Sequence, residues 1–272
     1  MGMSCNVPTD ICFSFTGFRA RGGRTDVHKD GWGIAFFEDR GVRMFVDPSP
    51  SFESPIAELV RNYPIKSKNV VAHIRRATRG VVALENTHPF QRELWGRYWV
   101  FAHNGTLPDF QPEFKGSFSP VGATDSERAF CAILERMERE HKTLDMKNEA
   151  DVEKLFETIH AACMDLGARG EFNFLMSSGR NLIAHCSTTL SYILRKAPWS
   201  TARLKDEDVT IDFQHYTTET DRVAVVATSP LTENETWIPM KPGTLTFFKD
   251  GELFKTRDTV PGPPKKIEDF QP

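Results

Sequence analysis

Two short apolar runs, each ending in a polar cluster, constrain the fold of this chain more than any other feature. Val70–Ala72 leads into His73-Ile74-Arg75, and Tyr98–Ala102 leads into His103-Asn104-Gly105. Runs this short, rich in β-branched and aromatic residues, are typical of buried strands rather than helices. We therefore expect the chemistry of the protein at the ends of these two strands.

The residue types at those ends suit an acyl-transfer site. An Asn followed by Gly at a strand terminus can aim one side-chain N–H and one backbone N–H at a single point, which is the geometry of an oxyanion hole. Arg75 offers a planar fork of donors that a carboxylate accepts in bidentate fashion. Asn-Gly is also the commonest hairpin-turn dipeptide, and an arginine after a strand is usually solvated, so neither feature alone carries the hypothesis.

Four polar segments follow one another in the first half of the chain, and their order is informative. They are Asp30–Ala35, His73–Gly80, Asn86–Pro89 with His103–Gly105, and Thr124–Glu127. This set resembles a class II glutamine amidotransferase domain of the N-terminal-nucleophile hydrolase superfamily, of the stand-alone bacterial type. The resemblance implies an α+β fold, a four-layer αββα sandwich with two mainly antiparallel sheets between helix layers.

The resemblance also assigns roles to individual residues. Asn104 and the Gly105 backbone N–H would stabilise the oxyanion, Arg75 would hold the α-carboxylate of glutamine, and Asp125 would take its α-ammonium. The remaining candidates are Thr78 and His88 for substrate binding and His28 for lining the pocket. The implied reaction is hydrolysis of the glutamine side-chain amide through a cysteinyl γ-glutamyl thioester, with no cofactor.

The nucleophile is where the sequence departs from the family pattern. The family's cysteine directly follows the initiator Met, so that its own α-amine serves as the base. This chain opens Met1-Gly2-Met3-Ser4-Cys5, and Cys5 precedes a loop-like stretch, Asn6–Asp10, that contains Pro8. We therefore expect the nucleophilic cysteine upstream of Met1. Two alternatives stay open: a catalytically silent γ-glutamyl-binding or partner subunit, and a γ-glutamyl peptide hydrolase.

Composition limits the partners and the compartment. A formal net charge of −3 gives nucleic acid or an anionic membrane no general attraction. The five scattered cysteines contain no C-x-x-C pair, and the chain shows neither an apolar run of membrane-spanning length nor a signal-peptide pattern, so we expect the cytoplasm. The expected partners are glutamine or another γ-glutamyl compound and, where one exists, a separate ammonia-accepting synthase chain.

A zinc site is the competing interpretation of the histidines in the central block. His73, His88 and His103 lie there, but no two of them form the i, i+4 pair that places two ligands on one helix face. We therefore expect no metal, and a structural or substrate-orienting role for His88.

Local patterns predict the remaining elements. Gly31–Phe37 and Val42–Val46 form a hairpin, and Gly17–Gly23 is an exposed loop. A helix begins at Ser54-Pro55, with Ile56, Leu59 and Val60 on one face. Pro108–Gly122 is a long loop, Asp125 or Ser126 begins a helix for which Asp125 is a candidate N-cap, and a second helix spans 151–166. Six strand segments follow: Phe172–Met176, Leu182–Cys186, Leu190–Leu194, Val209–Phe213, Val223–Thr228 and Leu245–Phe254. We expect one domain over residues 1–257 and a Pro- and Lys-rich tail over 258–272.

Overall fold

The computed structural model describes residues 1–77 and 81–262. Within these residues there are four helices: α1 Cys12–Ala20, α2 Pro55–Asn62, α3 Asp125–Glu140 and α4 Glu149–Gly167. The same residues form fifteen strands: β1 Gly2–Thr9, β2 Trp32–Glu38, β3 Gly41–Asp47, β4 Ser67–Ile74, β5 Phe90–Glu93, β6 Tyr98–Thr106, β7 Glu171–Ser177, β8 Asn181–Cys186, β9 Ser191–Lys196, β10 Thr201–Arg203, β11 Thr210–Asp212, β12 Arg222–Ala227, β13 Ile238–Pro239, β14 Thr244–Lys249 and β15 Glu252–Asp258.

Two large antiparallel sheets hold most of these strands. The first has the order β13-β9-β12-β1-β4-β2-β3, and the second has the order β15-β14-β8-β7-β6-β5. Strands β10 and β11 form a small separate sheet. Because β4 belongs to the first sheet and β6 to the second, the two apolar runs that dominate the sequence lie in different sheets.

Three apolar clusters show how the layers pack. Val71 of the first sheet and Val100 of the second belong to one cluster, which therefore lies between the sheets. A second cluster joins Phe130 of α3 to Phe101 of β6, and a third joins Phe15 of α1 to strands of the first sheet. The molecule is thus the expected four-layer αββα sandwich, with α1 and α2 outside one sheet and α3 and α4 outside the other.

The N-terminal region differs from its prediction. Residues 6–10 were expected to form a loop, yet β1 extends to Thr9 because it lies between two partners, with Gly2 opposite both Val71 and Val226. The predicted loop over Gly17–Gly23 was also wrong in part, since α1 continues to Ala20. The buried side chains of Phe15 and Phe18 anchor that helix, and tertiary packing of this kind overrides a glycine-rich local pattern.

Helices α2 and α3 begin where expected, but with changes of detail. Ser54 caps α2 as predicted, whereas Ala57 and Val60 form its buried face and the side chains of Ile56 and Leu59 are exposed. The N-cap of α3 is Thr124, whose hydroxyl accepts a hydrogen bond from the Glu127 N–H. The alternative in which Asp125 is the cap was therefore wrong.

The C-terminal hairpin is the expected one, and the chain beyond it still contacts the body. Asp250 and Gly251 join β14 to β15 with positive φ values of 51° and 80°, as a tight hairpin turn requires. After β15, Thr259 N–H donates to the Gly243 carbonyl and Gly262 N–H to the Ser187 carbonyl. The predicted tail over 258–272 thus begins with packed residues, and residues 263–272 lie outside the described chain.

No helix among the described residues has the length and apolar character needed to cross a membrane.

Candidate active site

A cavity of about 650 Å³ opens where strand ends of both sheets meet the start of α3. Its walls come from the C-terminal ends of β4, β6 and β12 and from the beginning of β7. The lining includes Arg75, His88, Asn104, Gly105, Asp125 and His28. The structure therefore brings together every described residue that the sequence had selected for the site, whereas Thr78 lies outside the described residues.

Arg75 follows β4 and is buried, with 4% of its surface exposed. Its backbone is fixed by Asp30-Gly31, because Arg75 N–H donates to the Gly31 carbonyl and the Asp30 N–H donates to the Arg75 carbonyl. The Asp30 carboxylate in turn accepts the Ala77 N–H at 2.7 Å. Burial lowers the pKa of the Arg75 guanidinium, and the nearby Asp30 charge opposes that effect. The backbone that carries this guanidinium is therefore fixed, and Arg75 Nη1 lies 3.5 Å from the Asp30 carbonyl oxygen.

The second half of the site lies on β6, which does not turn at Asn104-Gly105. Asn104 pairs with Asn173 and Gly105 with Phe172 on β7, so the hairpin-turn interpretation of this dipeptide was wrong. The backbone carbonyl of Asn104 accepts the Asn173 side-chain N–H at 3.1 Å. Strand β6, which carries the predicted oxyanion donors, is therefore fixed to β7 both by backbone pairing and by the hydrogen bond from the Asn173 side chain.

The side chain of Asn104 points into the cavity across the two sheets. Its Nδ2 lies 3.4 Å from the hydroxyl of Thr228, which follows β12 in the opposite sheet. Gly105 cannot carry a larger side chain, because a β-carbon there would lie 2.0 Å from the Glu171 carbonyl oxygen. Asn104 Nδ2 is the side-chain donor that an oxyanion site at this position would use.

His103, between the apolar run and Asn104, is a buried structural residue. Its Nε2 lies 3.1 Å from the Glu171 carbonyl oxygen and its Nδ1 lies 2.8 Å from the Ser126 hydroxyl. A carbonyl only accepts, so Nε2 carries the proton and Nδ1 accepts from Ser126. Burial lowers the pKa of His103, an effect that the Asp125 charge opposes. A neutral His103 thus ties β6 to the first turn of α3.

Asp125 lies on that first turn, at the rim of the cavity. Its Oδ2 accepts the Leu107 N–H at 2.6 Å, and its Oδ1 accepts the N–H of Ser126 at 2.9 Å. Each carboxylate oxygen retains a lone pair after one bond, so the group can still receive a cation from the cavity. This is the property that binding of an α-ammonium group requires.

The rings of His88 and His73 contact each other in the cavity wall, tilted by 33°. Their ring centroids are 4.3 Å apart, and both ring nitrogens of His88 are buried with no partner among the described residues. Burial lowers the pKa of both rings well below the ordinary value, so both are neutral near pH 7. Gly33 on β2 permits the close approach of this segment, since a β-carbon there would lie 2.5 Å from the His88 carbonyl oxygen.

His28 lies at the mouth of the cavity, half-buried, with its Nδ1 3.1 Å from the Asp26 carboxylate. Across residues 1–77 and 81–262, no three His, Cys, Asp or Glu side chains are grouped so that they could hold a metal ion.

The five cysteines lie elsewhere, and none lines the cavity within the described chain. Cys5 is buried in β1, and burial raises the pKa of its thiol to about 12. A thiol with that pKa is protonated at neutral pH and is a poor nucleophile.

Several lining residues were missed by sequence reasoning. Thr228, Ser126, Arg169 and Glu171 all face the cavity. Thr228 ends an apolar run and could have been found by the rule that located Asn104, namely that the polar residue closing a buried strand lies at the sheet edge. Arg169 lies in the connection from α4 to β7 and Glu171 is the first residue of β7, and neither position carries such a signal.

The four-layer sandwich is the fold of the N-terminal-nucleophile hydrolases. The motifs that line its cavity follow the order found in glutamine amidotransferases. The family model for class II glutamine amidotransferases matches residues 1–269. The chain therefore belongs to the class II glutamine amidotransferases.

Individual relatives agree with this assignment. The chain is 54% identical over 252 residues to YafJ of Escherichia coli strain K12, a candidate glutamine amidotransferase, covering 93% of this chain and 97% of the relative. A Haemophilus influenzae relative described in the same terms is 49% identical over 272 residues, covering 99% of this chain and 89% of its own.

Solved structures give the same result. A predicted glutamine amidotransferase from Pseudomonas aeruginosa PA01 is 46% identical, with a TM-score of 0.74, and the match covers 93% of this chain and 98% of that one. Glutamine phosphoribosylpyrophosphate amidotransferase from B. subtilis is 14% identical, with a TM-score of 0.55 over 94% of this chain and 48% of that one, and shares the fold.

Proposed function

We propose that this protein is a glutaminase, which hydrolyses the side-chain amide of glutamine or of a closely related γ-glutamyl compound. One observation supports the proposal above the others. Arg75, which directly follows β4, Asn104 of β6 and Asp125 of α3 line a single cavity. Their side chains can bind the three polar groups of one glutamine molecule: Arg75 the α-carboxylate, Asn104 the reacting carbonyl oxygen and Asp125 the α-ammonium.

The reaction divides into two acyl transfers. A cysteine thiolate attacks the side-chain carbonyl carbon, and Asn104 Nδ2 with the Gly105 N–H stabilises the negative oxygen that forms. The carbon–nitrogen bond then breaks, the nitrogen takes a proton and ammonia leaves, so that a γ-glutamyl thioester remains. Water adds to the thioester, the carbon–sulfur bond breaks, and glutamate and the thiol are released.

We place the attacking thiol on residues that precede Met1. Two observations support this placement: no cysteine of the sequence lines the cavity within the described chain, and Met1 itself forms part of its wall. Gly2 lies opposite Val71 and Met3 opposite Val70 on β4. Residues before Met1 that kept this register would lie opposite His73 to Arg75, beside the proposed carboxylate site.

Protein purified from its native source tests both parts of this proposal. Intact mass and N-terminal sequencing should reveal a leading cysteine, and a thiol-reactive glutamine analogue should add its mass to that residue alone. Ammonia release from glutamine should disappear as the label is incorporated. A leading cysteine that labels without any ammonia release from glutamine in the unlabelled protein would contradict the glutaminase proposal.

The same experiment separates the second hypothesis, a catalytically silent γ-glutamyl-binding or partner subunit. A native chain without an N-terminal cysteine that still binds glutamine in the cavity would favour that hypothesis.

A γ-glutamyl peptide hydrolase is a further candidate, favoured by the size of the cavity. About 650 Å³ is within the range of pockets that enclose drug-sized ligands, and glutamine is smaller than these. Arg169 also faces the cavity, stacks 5.6 Å from the Phe110 ring centre and has no carboxylate partner among the described residues. Faster release of an amino acid from γ-glutamyl dipeptides than of ammonia from glutamine would support this candidate.

We also propose a cytoplasmic location. It rests on the five free cysteines, four of which are buried, because a reducing compartment keeps such thiols unpaired. Recovery of the native protein from the soluble cell fraction, with all five thiols titratable after unfolding, would test it.

A further inference from the structure

The first turn of α3 is bonded to three separate segments of the site. The Asp125 carboxylate accepts a hydrogen bond from the Leu107 N–H, and the Ser126 hydroxyl bonds to the His103 ring. The Glu127 carboxylate accepts hydrogen bonds from the N–H groups of Val121 and Gly122. The first and third of these contacts fix the two ends of the loop that runs from β6 to α3. This loop contributes Pro108 and Thr124 to the cavity wall.

Glu127 differs from its two neighbours because it does not line the cavity. Its side chain is 2% exposed, and one oxygen lies 2.5 Å from the Arg92 guanidinium on β5. The same oxygen accepts the Val121 N–H at 3.0 Å, and the other accepts the Gly122 N–H at 2.7 Å. The carboxylate therefore has three donors, all of them outside the substrate pocket.

The position of this carboxylate is unusual for its place in the helix. A Thr-x-x-Glu sequence at a helix start is typical of a capping box, in which the Glu side chain returns to the backbone N–H of the capping Thr. Here Thr124 does cap the Glu127 N–H, at 3.2 Å, but the Glu127 carboxylate reaches two and three residues further back. It thus stabilises the loop rather than the cap.

We propose that Glu127 is a positioning residue for recognition of the substrate's α-ammonium group. The inference rests on the proposed function, in which Asp125 is the ammonium-binding carboxylate. Asp125 lies between the bond to Leu107 and the bonds of Glu127. Loss of the Glu127 carboxylate would release the N–H groups of Val121 and Gly122, leave the Ala123 N–H on the Asn86 side-chain oxygen, and let the first turn of α3 fray. A frayed turn must be ordered again on binding, and that entropic cost lowers affinity.

A matched control exists on the same helix. Glu135 also accepts backbone N–H groups of this loop, those of Lys115 at 2.9 Å and of Gly116. It lies at the far side of the loop and does not line the cavity. Glu127→Gln leaves one of the two oxygens that accept backbone N–H groups and turns the other into a donor, and Glu135→Gln makes the same chemical change at a different distance from Asp125.

Binding of L-glutamate and of glutarate by calorimetry tests the proposal without requiring turnover. Glutarate lacks the α-ammonium group, so the ratio of the two dissociation constants reports its recognition. Glu127→Gln should weaken glutamate binding by about fivefold or more and change glutarate binding by less than about twofold. Glu135→Gln should change neither.

A second variant reaches the same contact from the loop. A β-carbon at position 122 would lie 2.3 Å from the Asn86 side-chain oxygen and 2.7 Å from the Glu85 carbonyl oxygen, so Gly122→Ala must displace the loop. This variant should reproduce the selective loss if Glu127→Gln does not fold. Equal loss for both ligands, or none, in a folded variant would overturn the proposal.

Asp125→Asn separates the two levels of inference. If this variant leaves the glutamate-to-glutarate ratio unchanged, the proposed ammonium site is wrong and the role of Glu127 fails with it. If Asp125→Asn abolishes the discrimination while Glu127→Gln and Gly122→Ala do not, the proposed function survives and only the positioning role is overturned.

Discussion

Ser126 donates a hydrogen bond of 2.8 Å to Nδ1 of His103, and this contact joins the start of α3 to the strand that carries the predicted oxyanion donors. The other ring nitrogen of His103 donates to the Glu171 carbonyl at 3.1 Å. Asn104 follows His103 directly, and Asp125 directly precedes Ser126. The group proposed to bind the reacting carbonyl and the group proposed to bind the ammonium are therefore held at a fixed spacing through two buried polar side chains.

Asn104→Ala tests the oxyanion assignment. Removal of one oxyanion donor costs about 3–4 kcal/mol of transition-state stabilisation in acyl transfer, so kcat should fall by roughly two to three orders of magnitude. KM should change little, because this contact is strongest in the transition state. Steady-state ammonia release by protein that carries its native N-terminus provides the measurement. Thr228→Val, which removes the 3.4 Å contact to Asn104 Nδ2, should lower kcat much less. A change confined to KM would place Asn104 in ground-state binding.

Arg75→Lys tests recognition of the α-carboxylate. Lysine keeps the charge but lacks the planar fork, and a lost bond to a charged group costs about 1.5–3 kcal/mol. Glutamine binding should therefore weaken by about tenfold or more. The amide of 4-aminobutyric acid, which is glutamine without its α-carboxylate, serves as the control ligand. The affinities of both ligands are measured by competition with glutamate. Equal weakening for both ligands would contradict the proposed contact.

Gly105→Ala should destabilise the fold. The added β-carbon would lie 2.0 Å from the Glu171 carbonyl oxygen, so β6 and β7 would have to separate locally. We expect a loss of about 1–3 kcal/mol in the free energy of unfolding, measured by urea denaturation. Gly41→Ala is the control, because the β-carbon added there would lie 3.4 Å from its nearest neighbour, the Glu38 carbonyl oxygen. An unchanged urea midpoint for Gly105→Ala would contradict this account, because it would mean that β6 and β7 can separate here at no cost in stability.

The stability of the protein should decrease in mild acid because of its buried neutral histidines. Burial lowers the pKa of His88 well below its ordinary value. Below about pH 6.5 the unfolded chain therefore binds a proton that the folded chain does not, and unfolding becomes easier by about 1.4 kcal/mol per pH unit for each such residue. This loss continues down to the folded-state pKa.

Chemical denaturation between pH 7 and pH 5 measures this effect. His88→Phe should reduce the slope of the unfolding free energy against pH by the contribution of one proton, about 1.4 kcal/mol per pH unit. The variant removes a buried base but keeps an aromatic ring against His73 and Phe90. His215→Phe is the matched control, since the His215 side chain is exposed. An identical slope for His88→Phe and the unmodified protein would show that His88 is accessible to protons in the folded state.

Much of this architecture could be predicted from periodicity and caps. The hairpin β2–β3, the start of α2 at Ser54-Pro55 and the buried face of α3 follow from signals that lie within a few residues of each other. The order of the elements, strands at both ends with a helix pair between them, also predicts two packed sheets with helices outside, and the family resemblance implies the same four-layer arrangement.

The failures have a common physical cause. Strand β1 and helix α1 are stabilised by partners distant in sequence, such as Val226 opposite Gly2, so a local reading of Pro8 or Gly17 misleads. The same holds for the site: Thr228 meets Asn104 only because the two sheets pack face to face. The role of Glu127 was likewise hidden, because its Thr-x-x-Glu context predicts a different bond.

A crystal structure of the protein with bound L-glutamate tests the central claim most directly. We predict the α-carboxylate at the Arg75 guanidinium, the α-ammonium at Asp125, and one γ-carboxylate oxygen within hydrogen-bonding distance of both Asn104 Nδ2 and the Gly105 N–H. Glutamate bound with its γ-carboxylate at Arg75, or bound outside this cavity, would contradict the account.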